Sequence, residues 1–208
     1  FAQLGCPMLC LEPNPDFYTL AQQNCQPYPT VEIQNTSFEE WRLEAEQFDA
    51  VLAATSFHWI PPEVGYPKAA QSLKQNGRLI LLWNKQLQPS YEIYQCLSEV
   101  YQAYAPSLEQ FEDKEAQERI LQGLGEMVTD SGQFEDLRSG QIASDVTYPI
   151  EKYLTLLNTY SPYLRLDPQS KEALFNGLRE TVRRNVGDRL ALSYLSAFHI
   201  AQKRRTLT

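Results

Sequence analysis

Short apolar runs alternate with stretches of helical periodicity through the first ninety residues of the chain. The runs have the length of strands and lie at residues 7–11, 30–34, 48–54 and 79–83. Only Asp49 interrupts the third run, which predicts a strand that is buried on both faces. The first half of the sequence therefore predicts strands that are separated by helices or by a loop.

The predicted helices have recognisable start and stop signals. After the first run, Asp16 can cap a helix that has an apolar face. Pro61 and Pro62 suit the first turn of a second helix, which is predicted to run through Leu73, and the Asn76-Gly77 pair is a stop signal after it. Strands and helices in this order predict a parallel sheet that is covered by helices on both faces.

The second half of the chain differs in its periodicity. Apolar positions recur at helical spacing within residues 91–130 and 149–187, which predicts helical lid or cap segments. Residues 134–148 and 189–202 contain β-compatible apolar stretches and predict the last strands. We interpret residues 1–208 as a single α/β domain with a Rossmann-like, mostly parallel sheet.

Composition narrows the class of protein. The chain has 208 residues, a formal net charge of −8, 43% hydrophobic and 21% charged residues, which predicts a soluble globular domain. Its acidic balance argues against nucleic acid or an anionic membrane as a partner, and the basic cluster Lys203-Arg204-Arg205 is interpreted as a solvated tail. No run approaches the ~18 apolar residues of a membrane span. With no visible signal peptide, we expect a cytoplasmic protein with free cysteines.

Polar and aromatic residues follow the predicted strands, where an open parallel sheet binds its ligands. Glu12 ends the first run, and its two carboxylate oxygens can accept hydrogen bonds from both hydroxyls of a ribose. Ser37 and Phe38 follow the second run, where the ring can cover one face of an adenine. The alternatives are an exposed carboxylate at Glu12 and, for Phe38 and Trp41, simple packing of the loop against the sheet.

The segment after the third run contains a histidine. Small residues such as Ala54 allow a ligand to approach the backbone, and His58 is a candidate proton acceptor. The alternative is a packed or capping histidine, and His199 is interpreted as structural. Because the two histidines are far apart and neither a G-x-S-x-G nor an H-E-x-x-H motif is present, we predict no metal site and no hydrolytic centre of these types.

Taken in order, these segments resemble the middle of a class I S-adenosylmethionine-dependent methyltransferase of the small-molecule type. The family pattern is Phe-Asp-x-Val, a His-Trp pair and a Leu-Lys-Pro-Gly-Gly turn. The matching segments here are Phe48-Asp49-Ala50-Val51, Phe57-His58-Trp59-Ile60, Leu73-Lys74-Gln75-Asn76-Gly77-Arg78-Leu79, Leu82-Trp83-Asn84 and Ser131-Gly132-Gln133-Phe134.

The resemblance implies a cofactor, a reaction and a set of site residues. The cofactor would be S-adenosyl-L-methionine, the product S-adenosyl-L-homocysteine, and the reaction direct in-line methyl transfer to a small-molecule acceptor. Residues 1–90 would form the cofactor-binding half of the sheet, and the last strand would be antiparallel. His58 would be catalytic, and Trp59, Trp83 and Asn84 would bind the substrate. The cofactor would contact Glu12, Pro13, Asn14, Ser37, Phe38, Ala54, Thr55 and Phe57.

The family's glycine-rich loop has no counterpart in the sequence. In dinucleotide-type folds that loop precedes the acidic residue by ~20 residues, whereas only eleven residues precede Glu12. We therefore expect an N-terminally incomplete domain that binds S-adenosylmethionine weakly, whereas the full-length protein binds it. Two alternatives are a catalytically silent, methyltransferase-like binding or scaffold protein and another nucleotide-binding doubly wound enzyme such as a dehydrogenase. The oligomeric state is open, and exposed strand edges make a dimer possible.

Overall fold

The protein is described by a computed structural model over residues 1–205. The chain forms two compact units. The first contains residues 1–81, 127–138 and 200–205, and the second contains residues 82–126 and 139–199. The strands are β1 Met8–Leu11, β2 Val31–Gln34, β3 Phe48–Ala54, β4 Leu73–Asn84, β5 Phe134–Pro149 and β6 Arg189–Lys203. The helices are α1 Pro15–Cys25, α2 Pro62–Ser72, α3 Tyr91–Tyr104, α4 Lys114–Asp130, α5 Ile150–Leu157, α6 Ser161–Leu164 and α7 Pro168–Val186.

The strands form a parallel pair and a four-stranded sheet. β1 pairs with β2 in parallel, with Met8 opposite Val31 and Leu11 opposite Gln34. The other strands have the order β3-β4-β6-β5. Just after β4, Gln88 makes an antiparallel bridge to Ser193 of β6, as expected for an antiparallel last strand. This architecture confirms the predicted Rossmann-like α/β fold, because helices or a loop separate each strand from the next along the chain.

Two local predictions are wrong in the first unit. Asn14, not Asp16, caps α1, because its side-chain oxygen accepts the backbone N–H groups of Asp16 at 2.9 Å and Phe17 at 3.2 Å. The helix α2 stops at Ser72, so the Asn76-Gly77 pair lies inside β4 instead of ending the helix. The predicted helix end at Leu73 agrees within one residue with the observed end at Ser72, after which Leu73 is extended.

The predicted burial of the third strand is also wrong. No side chain of β3 is buried, and Leu52 is 43% exposed. Apolar residues of α1 are exposed as well, with Phe17 at 62%. Within residues 1–205, β1 pairs only with β2 and β3 pairs only with β4, so each has one edge without a strand partner there. Side chains near such an edge lack a neighbouring strand on one side, which accounts for the exposure of Leu52.

The basic cluster near the end of the chain is only partly a solvated tail. Lys203 ends β6 and is buried, and its ammonium group donates a hydrogen bond to the carbonyl oxygen of Leu73 at 2.7 Å. The carboxylate of Glu46 lies 3.4 Å from the same nitrogen atom. Arg204 and Arg205 are exposed, as predicted. Lys203 therefore belongs to the packed part of the first unit.

Helices α3, α5, α6 and α7, with Leu190 and Leu192 of β6, form the core of the second unit. These helices lie within residues 91–130 and 149–187, whose role as a lid or cap stays a prediction. Leu97, Leu174 and Leu178 are completely or almost completely buried within this core. The buried hydroxyl groups of Tyr101 and Tyr163 share a hydrogen bond of 2.8 Å. Burial raises the pKa of both phenols, so they are neutral hydrogen-bonding groups at pH 7. No helix within residues 1–205 has the length and apolar content that crossing a membrane requires.

Removal of the Tyr101 hydroxyl is expected to destabilise the second unit. In Tyr101→Phe the buried hydroxyl of Tyr163 loses its partner, which costs about 1–3 kcal/mol of unfolding free energy. Tyr104→Phe is the matched control, because Tyr104 is exposed and a surface change costs at most about 0.5 kcal/mol. Urea unfolding followed by circular dichroism measures both values. Equal stability of Tyr101→Phe and the original chain would contradict a stabilising phenol pair.

Candidate functional site

The carboxylate of Glu12 is held at the carboxyl end of β1. The backbone N–H of Glu12 donates to the carbonyl oxygen of Gln34 at 3.1 Å, which fixes the residue to β2. Its Oε1 atom accepts the backbone N–H of Asn14 at 2.8 Å. The side-chain amide of Asn35 donates to the carbonyl oxygens of Glu12 at 2.8 Å and Pro13 at 3.2 Å. Asn35 therefore ties together the ends of β1 and β2, where a ligand of a parallel sheet would bind.

The loop after β2 presents an aromatic ring. Its backbone is compact, because the N–H of Trp41 donates to the carbonyl oxygen of Ser37 at 2.9 Å and the N–H of Glu40 donates to Ser37 Oγ at 3.1 Å. Phe38 is half-buried and stacks on Trp41, with ring centroids 6.1 Å apart and planes inclined by 21°. Trp41 is buried and packs edge-on against Phe48 of β3 at 5.8 Å. Trp41 thus packs the loop, while Phe38 is the more accessible ring.

The segment after β3 is strained at Thr55. This residue has a φ of 49°, in the left-handed region that β-branched side chains rarely adopt. Such strain is commonly found where a ligand is bound. Phe57, which is 5% exposed, anchors the segment: its ring lies 6.5 Å from that of Phe38 and 5.1 Å from that of Tyr66. Gly65 makes this packing possible, because a Cβ atom there would lie 3.2 Å from Phe57 Cζ.

The residues around the buried Phe57 in the same segment are exposed to solvent. Ala54, Thr55 and His58 are exposed, and Trp59 is 76% exposed. The rings of His58 and Trp59 lie 4.8 Å apart. Partial loss of solvent lowers the pKa of His58 below its ordinary value of 6.5, so the imidazole is neutral at pH 7. A neutral imidazole can accept a proton from a bound molecule.

Direct contacts bring three strand ends together in the first unit. Asn35 joins the end of β2 to Glu12, and the Phe38–Phe57 contact joins it to the segment after β3. The predicted cofactor residues and His58 thus belong to one cluster at carboxyl strand ends, which we call the strand-end cluster. The residues that define it are Glu12, Pro13, Asn14, Asn35, Ser37, Phe38, Ala54, Thr55, Phe57, His58 and Trp59.

The two remaining predicted site residues lie in the second unit. Trp83 is buried, and Asn84 Oδ1 accepts a hydrogen bond from the hydroxyl of Ser196 at 2.7 Å. Nothing in these contacts tests a substrate role for either residue. Their assignment to substrate binding stays a prediction.

Sequence reasoning missed two residues that hold the strand-end cluster. Asn35 directly follows β2, and an Asn in that position is a typical turn residue that could have pointed to it. Lys68 of α2 donates from Nζ to the carbonyl oxygens of Glu39 at 2.8 Å and Trp41 at 2.5 Å. Nothing in the local pattern distinguishes Lys68 from any other helical lysine, because its partners lie 27 and 29 residues away.

The cysteines and the second histidine lie outside this cluster. All four cysteines are half-buried free thiols. His199 is buried, and its Nδ1 atom lies 2.7 Å from the hydroxyl oxygen of Ser139, which agrees with a structural role. Among residues 1–205, no group of three or more His, Cys, Asp or Glu side chains is arranged to hold a metal ion.

The donor set of the strand-end cluster suits a nucleoside. A carboxylate held at a strand end can accept two hydroxyl donors, and a half-buried ring offers a face for a base. The exposed backbone at Ala54 and Thr55 leaves room for a third group. The arrangement is therefore compatible with an adenosyl group.

Comparison with known proteins points to one family. Residues 1–81 match the family described as "Methyltransferase domain". An uncharacterized methyltransferase of Schizosaccharomyces pombe is 28% identical over 156 residues, which are 75% of this chain and 58% of the relative. The chain thus spans little more than half the length of that curated relative.

Solved structures show the same fold. A structure titled as a type II methyltransferase from Anaeromyxobacter dehalogenans superposes with a TM-score of 0.67 at 13% identity, covering 95% of this chain and 81% of the other. The phosphoethanolamine N-methyltransferase 2 of Haemonchus contortus, in complex with phosphomonomethylethanolamine and S-adenosylhomocysteine, has a TM-score of 0.50 at 12% identity. It covers 96% of this chain and 44% of the other. Residues 1–81 thus resemble the family described as "Methyltransferase domain", and the chain shares its fold with solved methyltransferase structures.

Proposed function

We propose that the protein transfers a methyl group from S-adenosyl-L-methionine to a small-molecule acceptor by direct in-line displacement. The observation that carries this proposal is the strand-end cluster, in which contacts through Asn35 and between Phe38 and Phe57 link the segments that contain Glu12, Phe38 and His58. These segments lie within residues 1–81, which match the methyltransferase family. An open α/β sheet binds its ligands outside the carboxyl ends of its strands, where these polar and aromatic side chains lie.

Each part of the strand-end cluster has a proposed role toward the cofactor. Glu12 accepts hydrogen bonds from the ribose hydroxyls, while Pro13 and Asn14 form the turn that holds its carboxylate. Ser37 and Phe38 border the adenine. Ala54 and Thr55 offer exposed backbone to the remainder of the ligand, and the buried ring of Phe57 fixes that backbone. The fit rests on the carboxylate, the half-buried ring and the strained Thr55.

The reaction needs alignment more than covalent chemistry. When bound, S-adenosylmethionine supplies an electrophilic methyl group. The protein's part is to hold the acceptor nucleophile in line with that group and to exclude water, which can account for most of the rate. His58 is neutral at pH 7, and a nitrogen atom of its imidazole ring takes up the proton that the acceptor loses. Trp59 offers an exposed aromatic surface to the acceptor.

A small-molecule acceptor is supported by charge and by analogy. With a net charge of −8, the chain offers little attraction to nucleic acid or to an anionic membrane surface. The structural neighbour from Haemonchus contortus is titled as holding a small phosphorylated amine together with S-adenosylhomocysteine. We propose a cytoplasmic enzyme, and a dimer is compatible with the unpaired edges of β1 and β3 within residues 1–205.

Ligand binding to the full-length protein tests the proposed function. Isothermal calorimetry is expected to give a 1:1 complex with S-adenosylhomocysteine, with a Kd in the range of about 1 µM to 1 mM, and no heat with NAD⁺. Preference for NAD⁺ would favour a dehydrogenase. Binding of neither ligand would favour a catalytically silent scaffold protein.

A further inference from the structure

Lys68 of α2 makes four contacts with the loop after β2. Its Nζ atom donates hydrogen bonds to the carbonyl oxygens of Glu39 at 2.8 Å and Trp41 at 2.5 Å. The same atom lies 5.7 Å from the ring centroid of Phe38 and 5.7 Å from that of Trp41. Both distances are within the range of a cation–π interaction. One ammonium group thus contacts the backbone and both rings of a single loop.

These contacts are stronger than those of an ordinary surface lysine. Lys68 is half-buried and Trp41 is buried, so the interactions are only partly screened by water. A hydrogen bond that involves a charged donor stabilises more than a neutral one. Since the ammonium group bonds two carbonyl groups that are two residues apart, it fixes the path of the backbone between them.

The loop that Lys68 holds begins at residues assigned to the cofactor. Within it, Ser37 accepts hydrogen bonds from the backbone N–H groups of Glu40 and Trp41, so a movement of residues 39–41 also moves Ser37. Phe38 stacks on Trp41 and lies 6.5 Å from Phe57. The orientation of the Phe38 ring therefore depends on the part of the loop that Lys68 contacts.

We propose that Lys68 is a positioning residue that orders residues 37–41 for the adenine side of the cofactor site, resting on the proposed function above. Lys68 does not itself touch the ligand. Its role is to reduce the number of loop conformations in the free protein, so that the loop loses less conformational entropy when the nucleoside binds. Replacing it should weaken binding of the adenosyl group without reducing the fraction of protein that can bind.

The primary test is calorimetry of S-adenosylhomocysteine and adenosine on the full-length protein. Lys68→Met is expected to raise both Kd values about tenfold, with the stoichiometry unchanged, because the folded protein has a less ordered loop. Lys68→Arg keeps the charge and is expected to recover at least half of the loss on a logarithmic scale. Lys74→Met is the matched control: it removes the same charge from an exposed residue that pairs only with Asp49 among the described contacts, and both Kd values should stay within twofold.

A ligand-free measurement tests the same contacts independently. Amide hydrogen exchange of Glu40 and Trp41, whose N–H groups donate to Ser37, should become at least tenfold faster in Lys68→Met and stay unchanged in Lys74→Met. If the original protein binds no S-adenosylhomocysteine, the proposed function fails, while the exchange rates still decide whether Lys68 orders the loop.

Several outcomes would overturn the inference. Kd values of Lys68→Met within twofold of the original protein would show that the loop is ordered without Lys68. A lower stoichiometry with an unchanged Kd would assign Lys68 to fold stability alone. If Lys68→Met does not fold, Lys68→Gln is used in its place. Failure of both variants to fold would also assign Lys68 to fold stability alone.

Discussion

The His58→Ala variant should lower the turnover of methyl transfer by about 10²–10⁴-fold, the usual contribution of a positioned general base. Its affinity for S-adenosylhomocysteine should stay within about twofold, because the cofactor is assigned to Glu12, Phe38 and their neighbours. The reason lies in the position of the imidazole: it is exposed beside Trp59 and follows the strained Thr55. A group placed there can receive the acceptor's proton without holding the nucleoside.

The His58 prediction is checked by the initial rate of S-adenosylhomocysteine formation with an acceptor found by screening small molecules. Glu63→Gln, an exposed change in the first turn of α2, serves as the control and should keep the original rate. Loss of cofactor affinity in His58→Ala would assign His58 to the cofactor site. An unchanged rate would show that no proton is transferred to the imidazole in the slow step.

The pH dependence of the same rate follows from the direction of the His58 pKa. Partial desolvation lowers the pKa below 6.5, so the neutral form that can accept a proton persists to a lower pH than for a free histidine. The rate should therefore be level near pH 7 and fall as the pH drops through a value below 6.5. His58→Ala should lack this acidic limb.

Glu12→Gln is expected to weaken S-adenosylhomocysteine binding about 100-fold. A carboxylate that accepts two ribose hydroxyl donors makes charge-assisted hydrogen bonds, and their loss costs about 1.5–3 kcal/mol each before partial replacement by the amide. The amide oxygen of glutamine can still accept the N–H of Asn14, so the turn itself should persist. Calorimetry on the full-length protein gives the affinity ratio.

A matched control and a modified ligand make the Glu12 test specific. Glu32→Gln removes the same charge from an exposed position of β2, where the carboxylate accepts a hydrogen bond from Gln34 at 2.8 Å, and should bind like the original protein. An S-adenosylhomocysteine analogue without the ribose 2′- and 3′-hydroxyls should bind Glu12→Gln and the original protein within about threefold of each other. An undiminished 100-fold difference for that analogue would place the Glu12 contact elsewhere on the ligand.

Local pattern was sufficient to predict most elements of the first unit. The apolar run at residues 48–54 coincides with β3, and the run at 30–34 contains β2. Local turn and helix-capping signals were misleading where the folded structure gives the backbone a different path. The Asn76-Gly77 pair is a strong local turn signal, yet β4 runs through it from the buried Leu73, whose carbonyl oxygen accepts a hydrogen bond from Lys203. The capping role moved from Asp16 to Asn14, because both residue types favour caps and only the backbone path decides between them.

The candidate site divides in the same way. Strand ends could be located from the sequence, so Glu12, Phe38 and His58 were found as candidates. The contacts that join these ends could not be predicted, since Asn35 and Lys68 act on residues that are 22–29 positions away. The left-handed backbone of Thr55 could not be predicted either, because β-branched residues rarely have a positive φ. The burial of Phe57 could not be predicted from the sequence, because it depends on packing against Tyr66 of α2.

A crystal structure of the full-length protein with S-adenosylhomocysteine tests the central claim most directly, namely that Glu12 binds the ribose of an adenosyl group. The account predicts both ribose hydroxyl oxygens within about 2.5–3.0 Å of the Glu12 carboxylate, with the adenine beside Phe38. A nucleoside bound elsewhere, with the Glu12 side chain directed into solvent, would contradict the assignment of this site and the function built on it.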